Sequence, residues 1–394
     1  MSSATNTLLR QRGHHDSSRV GMIELFFDLV FVFAVTQLSH SLLATLTFTG
    51  AAQMVLLLPA VWWVWIYTSW TTNWLNPERL PVRLCLFAMM IAGLVLAASI
   101  PAAFGERGIM FACAYAFMQI GRTLFVLWAV RTGPSALFDN FRRILVWLAL
   151  ASVLWIVGGM ASVQTRFAWW TAALAIELAG PAFLFWIPGL GGSRISDWDI
   201  DGAHMAERCA LFVIIALGES LLITGATFSE LNWSAASVIG MLIAVVGSIA
   251  MWWVYFDTGA ERAQHRIVHA QDPGQQGRIA YTYLHLLIVA GIIVCAVADE
   301  LVLVHPGHAE RAGVVTILCG PLLYLLGNML FKWVTNDRTT PPLSHMIGIA
   351  LLAALTPFAW GHGFSALALS TLTTVILVVV ATWESIALRR PAAA

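Results

Sequence analysis

Twelve runs of about twenty predominantly apolar residues divide this chain, and they restrict its fold more than any other feature. They lie near residues 22–46, 51–73, 82–104, 108–130, 143–161, 167–188, 205–228, 233–256, 279–303, 312–334, 345–361 and 364–387. A run of that length crosses the hydrocarbon core as a helix. The shortest is the eleventh, and Gly361–Gly363 separates it from the twelfth. The expected fold is an all-α integral membrane protein of about twelve transmembrane helices.

Composition agrees with this. Only 11% of the 394 residues are charged and 59% are hydrophobic, against about 25% charged in soluble domains. Eighteen tryptophans suit indole rings placed at both membrane interfaces. A formal net charge of zero gives no sign of a nucleic-acid partner. Cys85, Cys113, Cys209, Cys295 and Cys319 are scattered singly without metal-ligand spacing, and read as packing residues. The first apolar run is too long and too acidic for a signal-peptide core, so no cleavage is expected.

The cations test the count. With twelve spans, both termini share one side, and that side collects sixteen of the Lys and Arg residues against three on the other (Arg107, Arg166 and Arg311). Arg122 and Arg208 fall inside spans. The asymmetry predicts cytoplasmic termini. An internal repeat is also visible. Trp62-Trp63-Val64-Trp65 returns as Trp252-Trp253-Val254-Tyr255, and Gly121-Arg122-Thr123-Leu124-Phe125 as Gly327-Asn328-Met329-Leu330-Phe331. Glu24 lines up with Glu207, so each match joins span n to span n+6. Two six-helix repeats in parallel orientation follow. The expected organisation is a cytoplasmic segment 1–21, a first half 22–188, a cytoplasmic linker 189–204, a second half 205–388 and a tail 389–394.

Ionisable residues inside spans are expensive and are read as functional by default. Glu24 and Asp28 are four residues apart on span one, hence on one face. His204 and Arg208 repeat that spacing on span seven, and Glu219 returns to the Arg208 face about 16 Å deeper. Tyr115, Gln119 and Arg122 share one side of span four, Glu177 lies in the middle of span six, and Arg278, Tyr281 and His285 form a stripe on span nine. Glu24, His204, Glu207 and Arg208 are expected at the cytoplasmic mouth, where snorkelling or capping competes with function as their explanation. Asp28, Arg122, Glu177, Glu219 and His285 are expected deeper, as a substrate- or proton-binding site. The rival explanation is a structural salt bridge for the charged groups and a satisfied core histidine for His285.

Asp257, Glu261, His265 and His269 recur every four residues, a face that suits a metal or, more simply, a solvated helix; no metal or cofactor is expected. No HExxH, Walker, GxSxG or dinucleotide signature occurs.

Ile23-Glu24-Leu25-Phe26-Phe27-Asp28-Leu29-Val30-Phe31-Val32, Glu207-Arg208 followed by Ile214-Ile215-Ala216-Leu217-Gly218-Glu219, and Tyr283-Leu284-His285 followed by Val289-Ala290-Gly291 resemble the bacterial low temperature requirement A (LtrA) family. The resemblance implies a multi-span bacterial inner-membrane protein associated by name with growth in the cold, and carries no biochemical activity. The leading expectation is a secondary transporter, proton-coupled, for a small solute, its halves rocking around a midplane site. Pro59, Pro181, Pro321 and Pro357 within spans agree with interrupted helices. The alternatives are an intramembrane enzyme using carboxylate acid/base chemistry on a lipophilic substrate, and a non-transporting scaffold or sensor. Partners are the lipid bilayer and the unidentified solute or substrate, with self-association left open.

Overall fold

A computed structural model describes residues 8–10, 19–133, 135–194, 200–257, 259–268, 273–335, 340–361 and 363–389. The chain is helical: α1 Met22–Ala44, α2 Phe48–Trp74, α3 Leu80–Ser99, α4 Gly108–Val130, α5 Ser135–Met160, α6 Val163–Ala182, α7 Gly202–Glu230 and α8 Ala235–Phe256. There follow the short α9 Gly259–Val268 and α10 Pro273–Gln276, a π-helical stretch Gly277–Leu284, then α11 His285–Val304, α12 Arg311–Thr335, α13 Leu343–Gly361 and α14 Ala366–Arg389. No strand occurs among the described residues, only isolated bridges Leu9–Leu75 and Ile187–Gly191.

A helix occupies each apolar run, and eleven of these helices are long and apolar enough to cross a membrane. The one that falls short is α6, whose 20 residues include Gln164, Thr165, Arg166 and Glu177. Pro59, Pro321 and Pro357 sit inside continuous helices rather than at breaks, and Pro181 lies next to the end of α6. In lipid, neighbouring helices and Ser/Thr side chains can re-satisfy the carbonyls that proline frees.

Burial is arranged for a lipid surround. On α1, Glu24, Phe27 and Asp28 are fully buried, whereas Phe26 and Leu29 are 52% and 56% exposed. The acids therefore face protein, and the greasy face looks outward. One expectation is corrected: Cys113 is exposed on α4 rather than packed, a position where an apolar thiol is at home against acyl chains. Cys209 and Cys295 are buried as expected.

The contacts group into two compact units. The first holds Met1–Leu38, Ala52–Arg208 and Ala270–Arg278; the second holds Ser39–Ala51, Cys209–His269 and Ile279–Ala394. In the first, α4, α5 and α6 pack around Phe111, Tyr115, Trp155 and Trp170, whose rings lie 4.6–6.2 Å apart. In the second, α11 and α12 approach so closely that a Cβ on Gly291 would sit 2.5 Å from the Tyr324 nitrogen. Small residues permit such backbone approach in membranes, where packing and hydrogen bonds drive helix association. Gly291→Val should force the two helices apart and lower the unfolding midpoint in detergent, at a cost of about 1–3 kcal/mol or more. A midpoint matching wild type would contradict this packing.

Candidate functional site

The buried polar groups of the first unit begin where α1 and α7 start. The Asn73 side chain is fixed by the Asp201 backbone, donating from Nδ2 to its carbonyl (2.8 Å) and accepting its N–H at Oδ1 (2.8 Å). Nδ2 also faces His204 Nδ1 at 3.2 Å, so that ring nitrogen accepts. His204 Nε2 lies 2.9 Å from Glu24 Oε1 and 3.0 Å from the Arg10 guanidinium, so the ring is held between the two. The other carboxylate oxygen, Oε2, accepts from Arg10 and from the Gly21 N–H, both at 2.8 Å. Arg10 reaches this site because residues 8–10 pair with the end of α2, through Arg10 N–H to Trp74 O and Asn76 N–H to Leu8 O. Glu207 accepts from the Val20 N–H at 3.2 Å.

One turn deeper, Arg208 donates to Asp28 Oδ1 at 2.8 Å, both side chains being fully buried. Trp65 Nε1 donates to the same oxygen at 2.8 Å, and Ser69 Oγ accepts from the guanidinium. Asp28 Oδ2 and Arg208 NH1 are buried and make no hydrogen bond within the protein. The contacts Glu24–His204 and Asp28–Arg208 advance by four residues on each helix, so here α1 and α7 run side by side in the same direction.

Across α2 lies the next network. Arg122 donates to Val64 O and Thr68 Oγ1, both at 3.2 Å, lies over the Tyr67 ring, and bonds the Gln119 side-chain oxygen. The Gln119 amide then donates from Nε2 to Glu177 Oε2 at 2.7 Å. Its orientation is forced, because a guanidinium only donates and an ionised carboxylate only accepts. Tyr115 donates to Glu177 Oε2 at 2.7 Å and Trp155 Nε1 to Oε1 at 2.9 Å. Glu177 is thus joined to Arg122 through an amide rather than directly. Residues Val64–Ser69 of α2 form the wall shared by this network and the Asp28–Arg208 pair.

The structure therefore brings Asp28 to Arg208 and Arg122 to Glu177. Glu219 is buried in the second unit, as is His285. His285 Nδ1 meets the Ala280 carbonyl at 2.8 Å and must carry hydrogen, so Nε2 accepts from the Tyr255 hydroxyl at 2.7 Å. Its ring stacks on Tyr281 at 5.1 Å, while Arg278 belongs to the first unit and donates to Pro181 O at 2.7 Å. Of the Asp257, Glu261, His265 and His269 face, the last three side chains lie outside the described residues, and no group of three metal-type ligands occurs among those described.

Three important cations carry roles that spacing did not reveal. Arg10 reads as part of a polar leader, yet it bonds Glu24. Arg166 reads as a loop residue, yet it is buried and donates to five backbone carbonyls, those of Ala103, Gly105, Gly158, Gly159 and Ala161, at 2.6–3.2 Å. Lys332 reads as a cation at the cytoplasmic end of its span, yet it is buried against Glu384 at 2.6 Å. One signal for the last was available: it is the only lysine in a chain that uses arginine everywhere else.

A family model described as bacterial low temperature requirement A protein matches residues 19–382, nearly the whole chain. The chain is 43% identical over 379 residues to an uncharacterized protein of Rhizobium meliloti (strain 1021), covering 95% of this chain and 91% of that one. No solved structure matches it. With eleven helices able to cross a bilayer, this multi-pass bacterial membrane protein belongs to the LtrA family.

Proposed function

We propose that the protein is a proton-coupled secondary transporter of a small polar solute, with Asp28 as the proton carrier and the polar core of the first unit as the binding site. The observation that carries this reading is the half-used Asp28–Arg208 pair. One carboxylate oxygen is doubly bonded to donors, while its twin and one guanidinium nitrogen have no hydrogen bond within the protein. Buried polar atoms are normally satisfied, and intramembrane ionisable groups with open valences mark ion and substrate paths. A proton on Oδ2 and an acceptor group on NH1 would complete both residues. Twelve spans in two six-helix halves with cytoplasmic termini complete the reading. Its supports are the sixteen-to-three cation asymmetry, the helical α6, and the common direction of α1 and α7 where they pair.

The test is solute addition to proteoliposomes holding an internal pH dye, across a panel of anionic, zwitterionic and neutral small solutes. At least one should move protons with the wild-type protein, and Asp28→Asn should lose that signal. A silent wild type across the panel, or an unchanged Asp28→Asn signal, would contradict the reading.

A further inference from the structure

The second unit holds a buried charged cluster that the transport reading does not use. Lys332, in the last turn of α12, donates from Nζ to Glu384 Oε2 of α14 and to the Val254 carbonyl of α8, both at 2.6 Å. His345, in the first turn of α13, places Nε2 4.0 Å from the same Glu384 oxygen. That imidazole is fully buried, and its Nε2 makes no hydrogen bond within the protein; Nδ1 contacts Ser344 Oγ at 3.2 Å. The lysine reaches this position past Gly259, where a Cβ would sit 2.8 Å from Lys332 Cε. Two further charged groups bear on the site. Asp257, at the end of α8, accepts from Ser385, the neighbour of Glu384, at 2.6 Å, and Arg262 of α9 acts on Lys332 electrostatically.

The arrangement has a counterpart. Each unit joins a buried cation on its fourth long helix to a carboxylate on its sixth: Arg122 on α4 to Glu177 on α6 through the Gln119 amide, and Lys332 on α12 to Glu384 on α14 directly. The cations differ in chemistry. A guanidinium keeps its proton under all ordinary conditions, whereas an ammonium is a point charge that can give its proton up. The chain places its one lysine here, beside a carboxylate and an imidazole, the one side chain that ordinarily exchanges its proton near neutrality.

We propose that Lys332, Glu384 and His345 form a proton-binding site in the second unit, loaded and emptied through Glu384. Glu384 is the member that reaches the outside, its side chain 11% exposed against 2% for Lys332 and none for His345. The site lies where α8, α12 and α14 end and α13 begins, which places it on one side of the membrane by chain direction. When the His345 imidazole takes a proton from water entering past Glu384, an imidazolium faces the oxygen that already binds Lys332. Two cations then compete for one carboxylate, and the hold of Lys332 on Glu384 weakens. Loss of that proton to water restores the bond. The site thus acts as a proton-dependent clamp on four helix ends. This inference stands whether or not a solute crosses the first unit.

The single lysine makes the test direct. In the full-length protein labelled with 15Nζ-lysine and held in lipid nanodiscs, the one side-chain amine resonance reports Lys332. It should shift through a transition between about pH 5 and pH 9, where an isolated ammonium does not titrate. His345→Gln should remove or displace the transition, and Glu384→Gln should abolish the shift contributed by the carboxylate. A wild-type resonance that does not change over this range overturns the proposal, as does a transition that His345→Gln leaves in place. An unchanging wild-type resonance overturns the proposal even if a variant fails to fold.

Discussion

Arg166→Met should destabilise the protein by about 3–6 kcal/mol. The guanidinium fills the gap between the last turn of α5 and the segment after α3, and three of its five carbonyl contacts are fully buried, those to Ala103, Gly158 and Gly159. Each buried acceptor left unmet costs about 1–3 kcal/mol, and methionine offers no donor. Gly108 packs directly on this group, for a Cβ there would lie 2.3 Å from Arg166 Cζ. Arg166→Lys should recover less than half of the loss, because three donors on one nitrogen cannot cover five carbonyls spread around a planar fork. Urea or thermal unfolding followed by the eighteen tryptophans would report the change. A methionine variant within about 1 kcal/mol of wild type would mean that water meets these carbonyls equally well.

The second large effect lies at Asp28 and Arg208. Removing either partner strands a fully buried charge, and Arg208→Met or Asp28→Leu alone should cost about 3–5 kcal/mol. The double variant should recover most of that loss, since a buried pair replaced by apolar groups of similar volume is often neutral or stabilising. A double-mutant cycle isolates the coupling. Additive losses would show that the two residues stabilise the fold separately, through Trp65 and Ser69 rather than through each other. The same cycle separates structure from function, because a stable double variant would have lost the carboxyl proposed to carry the proton.

Much of this was legible in the chain. Lipid leaves a backbone few options, so length and apolarity alone located the long helices, and α6 is the least apolar of them because Gln164, Thr165, Arg166 and Glu177 lower its hydropathy. Helical spacing likewise put Glu24 beside Asp28 and His204 beside Arg208. What spacing does not encode is the partner on another helix. Arg122 reaches Glu177 through Gln119, and Asp28 is answered by Arg208, pairings set by how α1, α2, α4, α6 and α7 pack. Residues near helix ends were the hardest to read. Arg166 and Lys332 both lie within a turn of a helix end, where a long side chain can reach water or turn inward, and both turn inward.

The central claim is that Asp28 carries the proton that drives a solute through the first unit. With a solute that moves protons in hand, Asp28→Asn should be compared with wild type in liposomes under two conditions. With equal solute on both sides, exchange of labelled for unlabelled solute should persist in the variant. With an imposed pH gradient, accumulation against the solute gradient should be lost. Accumulation by Asp28→Asn equal to that of wild type would contradict the account.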